Sequence, residues 1–258
     1  MSARVERGDP RLEAYRHVSD RRWLEKHGLF VAEGRLVVAR LVDSGFAVES
    51  ILVTPAALQA LDARLTAQPV LVADQSVVND ITGFNFHRGC LAIARRPPPA
   101  PLETFVAASR LVVVEGVNNP DNIGGIFRSA AAFGAGGILL DRSAGDPLYR
   151  KAVRTSMGAV LRLPFARALE WPAALRALGE HGVTLAALTP SGAATVDEFA
   201  ATLASGARVA VMVGAEGPGL SGAALHEAGI TLRIPIDRSS DSLNVVVALS
   251  IALHRLRA

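Results

Sequence analysis

Short apolar runs bounded by glycine, proline or aspartate recur along the chain, and between them lie longer stretches with apolar positions at helical spacing. That alternation predicts an α/β fold. In the first part of the chain the strand candidates are GLFVAEG, FAVESILVTP, QPVLVAD and CLAIARR, with helical patterns in RLVVARLVDSG, AALQALDARL and QSVVNDITG. A small α/β domain of about four strands follows from this pattern. Further on, LVVVEG, GGILLD, VTLAALTP, RVAVMVGAEG and TLRIPI alternate with helices. These strands are apolar at successive positions, as strands covered on both faces are, so a parallel sheet between helical layers is expected. The segment RRPPPAPLETF, Arg95 to Phe105, divides the two halves, because consecutive prolines enforce an extended, polyproline-like chain. The expected domains are residues 1–97 and 110–258, with a proline-rich linker at 98–109. The last segment, LNVVVALSIALHRL (Leu243 to Leu256), is apolar almost all round and ends among Arg255 and Arg257. Such a helix must be buried, either within its domain or against a second copy of the chain.

Half of the 258 residues are hydrophobic and a fifth are charged, enough for two compact cores. No stretch approaches the ~20 apolar residues of a membrane span. The opening MSARVERGDPRLEAYRHVSDRRW lacks the apolar core of a signal peptide, so a cytoplasmic location is expected. The single cysteine, Cys90, forms no intrachain disulfide and stands in no CxxC pattern, so it reads as a small buried hydrophobe and no metal is expected. The net charge of +3 rests on arginine, with Lys26 and Lys151 the only lysines. Arginine is the better bidentate partner of phosphate, although a GC-rich genome produces the same bias. Arg4, Arg7, Arg11, Arg16, Arg21 and Arg22 form a basic arm, but Glu6, Asp9, Glu13, Asp20 and Glu25 interleave with them. An RNA contact and a solvated charged face therefore stay equally open. With aromatics at 5%, no stacking platform for bases is evident.

Three polar, glycine-rich stretches lie at strand-to-helix junctions, where α/β enzymes place chemistry. The first, NNPDNIGGIFRSAAAFG (Asn118 to Gly134), follows LVVVEG. Pro120 and Asp121 set a turn, Asn122 is the expected N-cap, and Arg128 arrives on the second helical turn, so an amide and a guanidinium lie near a helix end that favours anions. Gly124 and Gly125 cost roughly 1 kcal/mol each inside a helix, which points to close approach by another backbone. In the second, VGAEGPGLS (Val213 to Ser221), Gly214, Gly217 and Gly219 free the backbone and Glu216 stands at the strand's carboxyl end. The spacing fits neither GxGxxG nor a Walker loop. In the third, IPIDRSSDSLNVVVAL (Ile234 to Leu249), Ser239, Ser240, Asp241 and Ser242 compete to cap the last helix, which Ser242 and Asn244 enter. No GxSxG elbow surrounds Ser242 and His254 lies three turns further on, so serine-hydrolase chemistry is not expected. A nicotinamide oxidoreductase is disfavoured too, for want of the glycine fingerprint and its acidic ribose ligand.

In this order, the three motifs resemble the SpoU/TrmH family of RNA ribose 2′-O-methyltransferases in the SPOUT superfamily. The resemblance runs from about Leu111 to Arg257 and includes RTSMGAVLRLP (Arg154 to Pro164), similar to the family's SxGA segment. The first block, with FVAEGRLVVARLV and HRGCLAIARRP, resembles the small RNA-binding domain that precedes the catalytic domain in many members. The resemblance implies S-adenosylmethionine as methyl donor, a trefoil knot late in the second domain, and a homodimer with shared active sites. A knot is an exception to the rule for chain connections. Cofactor contacts are implied for Leu188, Thr189, Gly214, Ile234, Ile236 and Leu243, and substrate handling and catalysis for Asn122, Arg128, Glu216, Ser242 and Asn244. Since a guanidinium stays protonated, Arg128 is expected to clamp phosphate and stabilise a developing alkoxide, with Glu216 and Asn122 orienting it. The implied reaction is methyl transfer to a ribose 2′-OH of structured RNA, ribosomal rather than transfer RNA on the ground of two domains. The rival reading is a non-catalytic RNA-binding or assembly factor that keeps the fold. Asp241, where members more often carry Glu or Ser, and Val247, in place of a small residue, depart from the family pattern.

Overall fold

The computed structural model describes residues 2–61, 63–83, 85–86, 89–237 and 239–256. His87 and Arg88 of the first block, Arg238 of the third motif and Arg257 lie outside the described residues. The chain divides into two compact units, Met1–Pro98 with Pro147–Arg162, and Pro99–Asp146 with Leu163–Ala258.

The first unit holds five strands, β1 (Ser2–Arg4), β2 (Leu29–Glu33), β3 (Val48–Val53), β4 (Val70–Val72) and β5 (Cys90–Arg95), in the order β1-β4-β3-β5-β2. β1, β4 and β3 run parallel, while β5 is antiparallel to both β3 and β2. The strand missing from the sequence reading is β1, whose residues Ser2, Ala3 and Arg4 carry no apolar pattern and are held by pairing to β4. Leu12, Tyr15, Val31, Leu52, Phe86, Leu91 and Ile93 form the core on one side of this sheet. The Tyr15 hydroxyl, in a fully buried side chain, lies 2.9 Å from Ser50 Oγ, so its polar end is satisfied. Burial raises the Tyr15 phenol well above its ordinary pKa. Cys90 is buried and free, as its isolation in the sequence suggested, and burial pushes its thiol up to about 12.

Residues 147–162 read in sequence as part of the second domain, yet they group with the first unit. The reason is local. The helix Arg150–Thr155 packs on β2, whose last residue, Glu33, is 5% exposed and takes Arg150 at 3.4 Å and Arg154 at 3.9 Å. A buried carboxylate needs compensating donors or cations, here two arginines, and no periodicity announces which residues supply them. The continuous span 110–258 is thus interrupted. The expected linker at 98–109 also contains more order than its prolines suggest. A helix, Leu102–Val106, forms there, and fully buried Phe105 packs so closely on Gly137 that an added Cβ would sit 2.8 Å from its ring.

The second unit is a seven-stranded sheet, parallel throughout, of β6 (Arg110–Val114), β7 (Ile138–Leu140), β8 (Phe165–Arg167), β9 (Thr184–Leu188), β10 (Ala194–Thr195), β11 (Val209–Val213) and β12 (Ile230–Arg233). Its order is β10-β12-β9-β11-β6-β7-β8. β6 and β11 lie at the middle and bury every residue, which is why their sequences show no alternation. The edge strands β8 and β10 are too short to leave a pattern and were not expected. Leu111, Val113, Ala210 and Met212 pack with Leu175 and Leu178 of the helix Trp171–Glu180. The alternate residues point to the other face. There the helices Pro120–Ala132 and Val245–Arg255 pack against each other.

The last helix begins at Val245 rather than Leu243. Val245, Leu249, Ala252 and Leu253 are buried in the unit, whereas Val247 at 47% and Ile251 at 37% stay exposed. Among the described residues no helix is long and apolar enough to cross a membrane.

Candidate active site

Strand β6 ends at Val114, and the chain passes through 115–119 into the first motif's helix. Asn119, not Asn122, caps that helix, accepting the Asp121 N–H at 2.9 Å, and Pro120 takes the first helical position, where its missing N–H costs nothing. Asn122 is therefore free for another task, in the helix's first turn at 8% exposure. Its Nδ2 donates to Glu216 Oε1 at 3.0 Å. The third motif arrives at the same point: Asn244 Nδ2 lies 3.0 Å from the same Glu216 oxygen and 3.2 Å from Asn122 Oδ1. Asn244 also caps the last helix, its Oδ1 accepting the Val246 N–H at 2.9 Å, so none of Ser239, Ser240, Asp241 and Ser242 holds the capping role expected of them. Asp237 instead folds its own loop, taking the Ser239 N–H and hydroxyl at 2.9 and 2.6 Å, which draws its carboxyl below the ordinary range.

Residues 94 and 122 positions from Asn122 thus meet its side chain directly. Each motif supplies one member of an amide–carboxylate–amide cluster, and Glu216 Oε2 takes no partner among the described residues.

Beside this cluster opens a cleft of about 390 Å³. All six expected cofactor residues line it: Leu188 and Thr189 at the end of β9, Gly214 after β11, and Ile234, Ile236 and Leu243 from the third motif. Glu216 and Ser242 line it too. The glycines have separate causes. A Cβ on Gly214 would fall 2.2 Å from the Gly219 carbonyl carbon, so the loop 214–219 folds back on itself only without one. A Cβ on Gly125 would lie 2.7 Å from Val246 Cγ2, so the close approach foreseen in the sequence is by the last helix's side chain rather than by a backbone.

Arg128 stands apart. It follows Asn122 by six residues, which turns it about 120° around the helix. It is exposed, does not line the cleft, and makes no hydrogen bond or ion pair among the described residues.

Three residues that hold the site were missed in the sequence. Glu115, 9% exposed, accepts the Ser221 N–H and hydroxyl, both at 2.7 Å, tying the start of the first motif to the end of the second. Asp141 accepts backbone N–H groups of Gly116 at 3.0 Å, Ala144 at 2.8 Å and Ser143 at 3.1 Å. The Arg167 guanidinium donates to the carbonyls of Asp141 at 2.7 Å, Ala144 at 2.8 Å and Gly145 at 3.2 Å. Glu115 and Asp141 are buried carboxylates satisfied by N–H and O–H donors rather than by cations. Among the described residues there is no group of three or more His, Cys, Asp or Glu that could hold a metal ion.

Comparison with known proteins identifies the family. Over 95% of its length the chain is 42% identical to an uncharacterized tRNA/rRNA methyltransferase of Mycobacterium bovis, covering 88% of that protein. The fold matches an AdoMet-bound rRNA methyltransferase from Sinorhizobium meliloti with a TM-score of 0.84 at 27% identity, over 99% of this chain and 97% of that one. It also matches the crystal structure of an RNA 2′-O ribose methyltransferase, with a TM-score of 0.75 at 28% identity, over 99% of this chain and 98% of the other. Residues 109–254 match the SpoU rRNA Methylase family, and the chain belongs to that family.

Proposed function

We propose that this protein transfers the methyl group of S-adenosylmethionine to a ribose 2′-OH of structured RNA, ribosomal RNA in the first instance. The observation that carries the reading is the meeting of Asn122, Glu216 and Asn244 at the rim of a cleft lined by all six expected cofactor residues. The cleft suits this donor. Its charged lining side chains are the carboxylates Glu216 and Asp241, agreeable to a sulfonium cation, and Leu188, Ile234, Ile236 and Leu243 offer apolar walls to a flat base. When bound, S-adenosylmethionine supplies an electrophilic methyl group. The chain's own residues have to place and prepare the hydroxyl, so positioning dominates. Asn122 and Asn244 fix Glu216 through Oε1, leaving Oε2 to accept the hydrogen bond of the incoming 2′-OH. Ser242 lines the approach.

The proposal extends to a homodimer. Val247 and Ile251 form an exposed apolar stripe one turn apart on the last helix, beside a first-motif helix that exposes Ala131 and Ala132. A second copy of the chain is the natural cover for such a face. Arg128, exposed and not among the residues lining its own cleft, then clamps the target phosphate at the cleft of the other copy. The trefoil knot belongs to the same reading. The chain leaves β12 after Arg233, two strands from β11, and Asn244 comes to lie on Asn122 and Glu216, the course a knotted C-terminal segment takes. A cytoplasmic location goes with a ribosomal RNA substrate.

The test is incubation with methyl-labelled S-adenosylmethionine and RNA from cells lacking the gene, followed by nucleoside analysis. Label in 2′-O-methylnucleosides supports the proposal. Binding of RNA and cofactor without transfer would favour the assembly factor instead.

A further inference from the structure

The basic arm of the first unit, ambiguous in sequence, is sorted by the structure. Arg4 pairs with Asp74, Arg7 with Asp80, Arg11 with Asp9, Arg16 with Glu13 and Arg21 with Glu25. Arg22 and Lys26 do not. Both are exposed on the helix Arg21–Lys26, four residues apart and so on one face, and neither has a carboxylate partner among the described residues.

Between them the same helix carries Trp23, which packs against the core of the unit and is covered on both sides by imidazoles. The His17 ring stacks at a centroid distance of 4.2 Å and 9° between planes, and the His27 ring at 3.8 Å and 24°. His27 Nδ1 lies 2.7 Å from the Trp23 carbonyl oxygen and His17 Nε2 lies 3.2 Å from Glu13 Oε1, so both rings are held in place by a hydrogen bond as well as by stacking. The result is a three-ring column, anchored at its middle, with the exposed His27 ring at one end. Trp23 also lines a hollow of about 440 Å³. No aromatic platform was legible in the sequence, because His17, Trp23 and His27 are scattered through charged residues.

A rigid stack of rings with unpaired cations on the same short helix matches one chemistry, a nucleic acid strand with unstacked bases. Bases stack on aromatic and imidazole faces while Lys and Arg take the phosphates. A duplex would offer phosphates but no free base face. We infer that the surface formed by Arg22, Lys26 and His27 over Trp23 captures an unpaired loop of the RNA substrate. The inference rests on the methyltransferase reading for the identity of the RNA as substrate, and it deepens that reading by naming the surface that holds the RNA's loop.

The test uses the full chain and two labelled probes: an RNA hairpin with a seven-nucleotide loop, and the same stem as a blunt duplex, followed by fluorescence anisotropy across a salt series. Alanine removal of one stacking partner is expected to cost about five-fold or more in affinity. H27A should show that loss for the hairpin and leave the duplex unchanged. R22A/K26A should weaken both probes and lower the salt slope by about two. Equal effects of H27A on hairpin and duplex, or no effect of either variant, would overturn the inference. Loss with R22A/K26A alone would also overturn it, leaving a charged patch without a base platform. All substituted residues are exposed, and thermal melts of each variant confirm folding. Cofactor binding and methyl transfer, read separately on the same proteins, report on the methyltransferase reading. Cofactor binding should be untouched by these substitutions, so failure of one idea is distinguishable from failure of the other.

Discussion

Glu115 and Ser221, 106 positions apart, are joined by two hydrogen bonds of 2.7 Å, one from the serine N–H and one from its hydroxyl. Ser221 simultaneously caps the helix Gly222–Glu227, its Oγ accepting the Ala224 N–H at 3.1 Å. One buried carboxylate therefore fixes where the Gly214–Gly219 loop ends, and with it one wall of the cleft.

Glu115→Gln keeps the size of the side chain but replaces one acceptor by a donor that faces the Ser221 N–H or hydroxyl. Leaving a buried group mismatched costs about 1–3 kcal/mol. We expect a stability loss in that range by chemical denaturation and a weaker affinity for S-adenosylmethionine by calorimetry. Unchanged values for both would remove Glu115 from the support of the site.

Gly125→Ala sets two effects against each other. Alanine gains about 1 kcal/mol of helix propensity over glycine. The new Cβ, 2.7 Å from Val246 Cγ2, forces a stiff β-branched side chain to move, and overpacking of this sort costs about 1–3 kcal/mol. The clash should win, lowering the melting temperature. A raised melting temperature would mean that the two helices separate without penalty.

Cys90 and Tyr15 predict an alkaline limit. Both have folded-state pKa values raised by burial, so each binds its proton more tightly in the folded than in the unfolded chain. Their contribution to stability is complete below the unfolded pKa and is lost as pH rises towards the folded one. For Cys90 that window runs from about 8.5, the free thiol's value, to about 12. Each group steepens the decline by up to about 1.4 kcal/mol per pH unit. Urea melts at rising alkaline pH should show the fall, and Cys90→Ala should flatten its lower part. A slope indifferent to Cys90 would contradict the assignment.

The parallel core of the second unit was legible because unbroken apolar strands such as LVVVEG and RVAVMVGAEG have few other homes. The strand-to-helix junctions that carry Glu216 and Asn244 were legible because polar, glycine-rich turns interrupt that pattern, whereas the cofactor residues and the roles at those junctions came only from the family resemblance. The capping residues were not legible. Asn119 and Asn244 compete with near neighbours of equal propensity, and only the path of the chain chooses among them. Glu115, Asp141 and Arg167 escaped because a carboxylate or guanidinium that serves backbone groups across the fold looks in sequence like any surface charge. The same blindness hid Glu33 and its arginines, and hence the grouping of residues 147–162 with the first unit.

Arg128 yields a complementation test of the proposed dimer. If it acts at the other copy's cleft, Arg128→Ala and Glu216→Ala chains, each inactive alone, should restore activity when co-expressed. Random pairing leaves about a quarter of the clefts intact. A mixture as inactive as its components would confine Arg128 to its own chain. Arg128→Lys should retain part of the activity without moving the pH–rate profile, since neither side chain gives up its charge as the clamp works.

The most direct test of the central claim, that three distant loops build one cleft in which Glu216 prepares the RNA hydroxyl beside the methyl donor, is the single-turnover rate of methyl transfer by Glu216→Ala at saturating cofactor. The account predicts a fall of about 100-fold or more that persists when the cleft is saturated with cofactor. Transfer at the wild-type rate would contradict it.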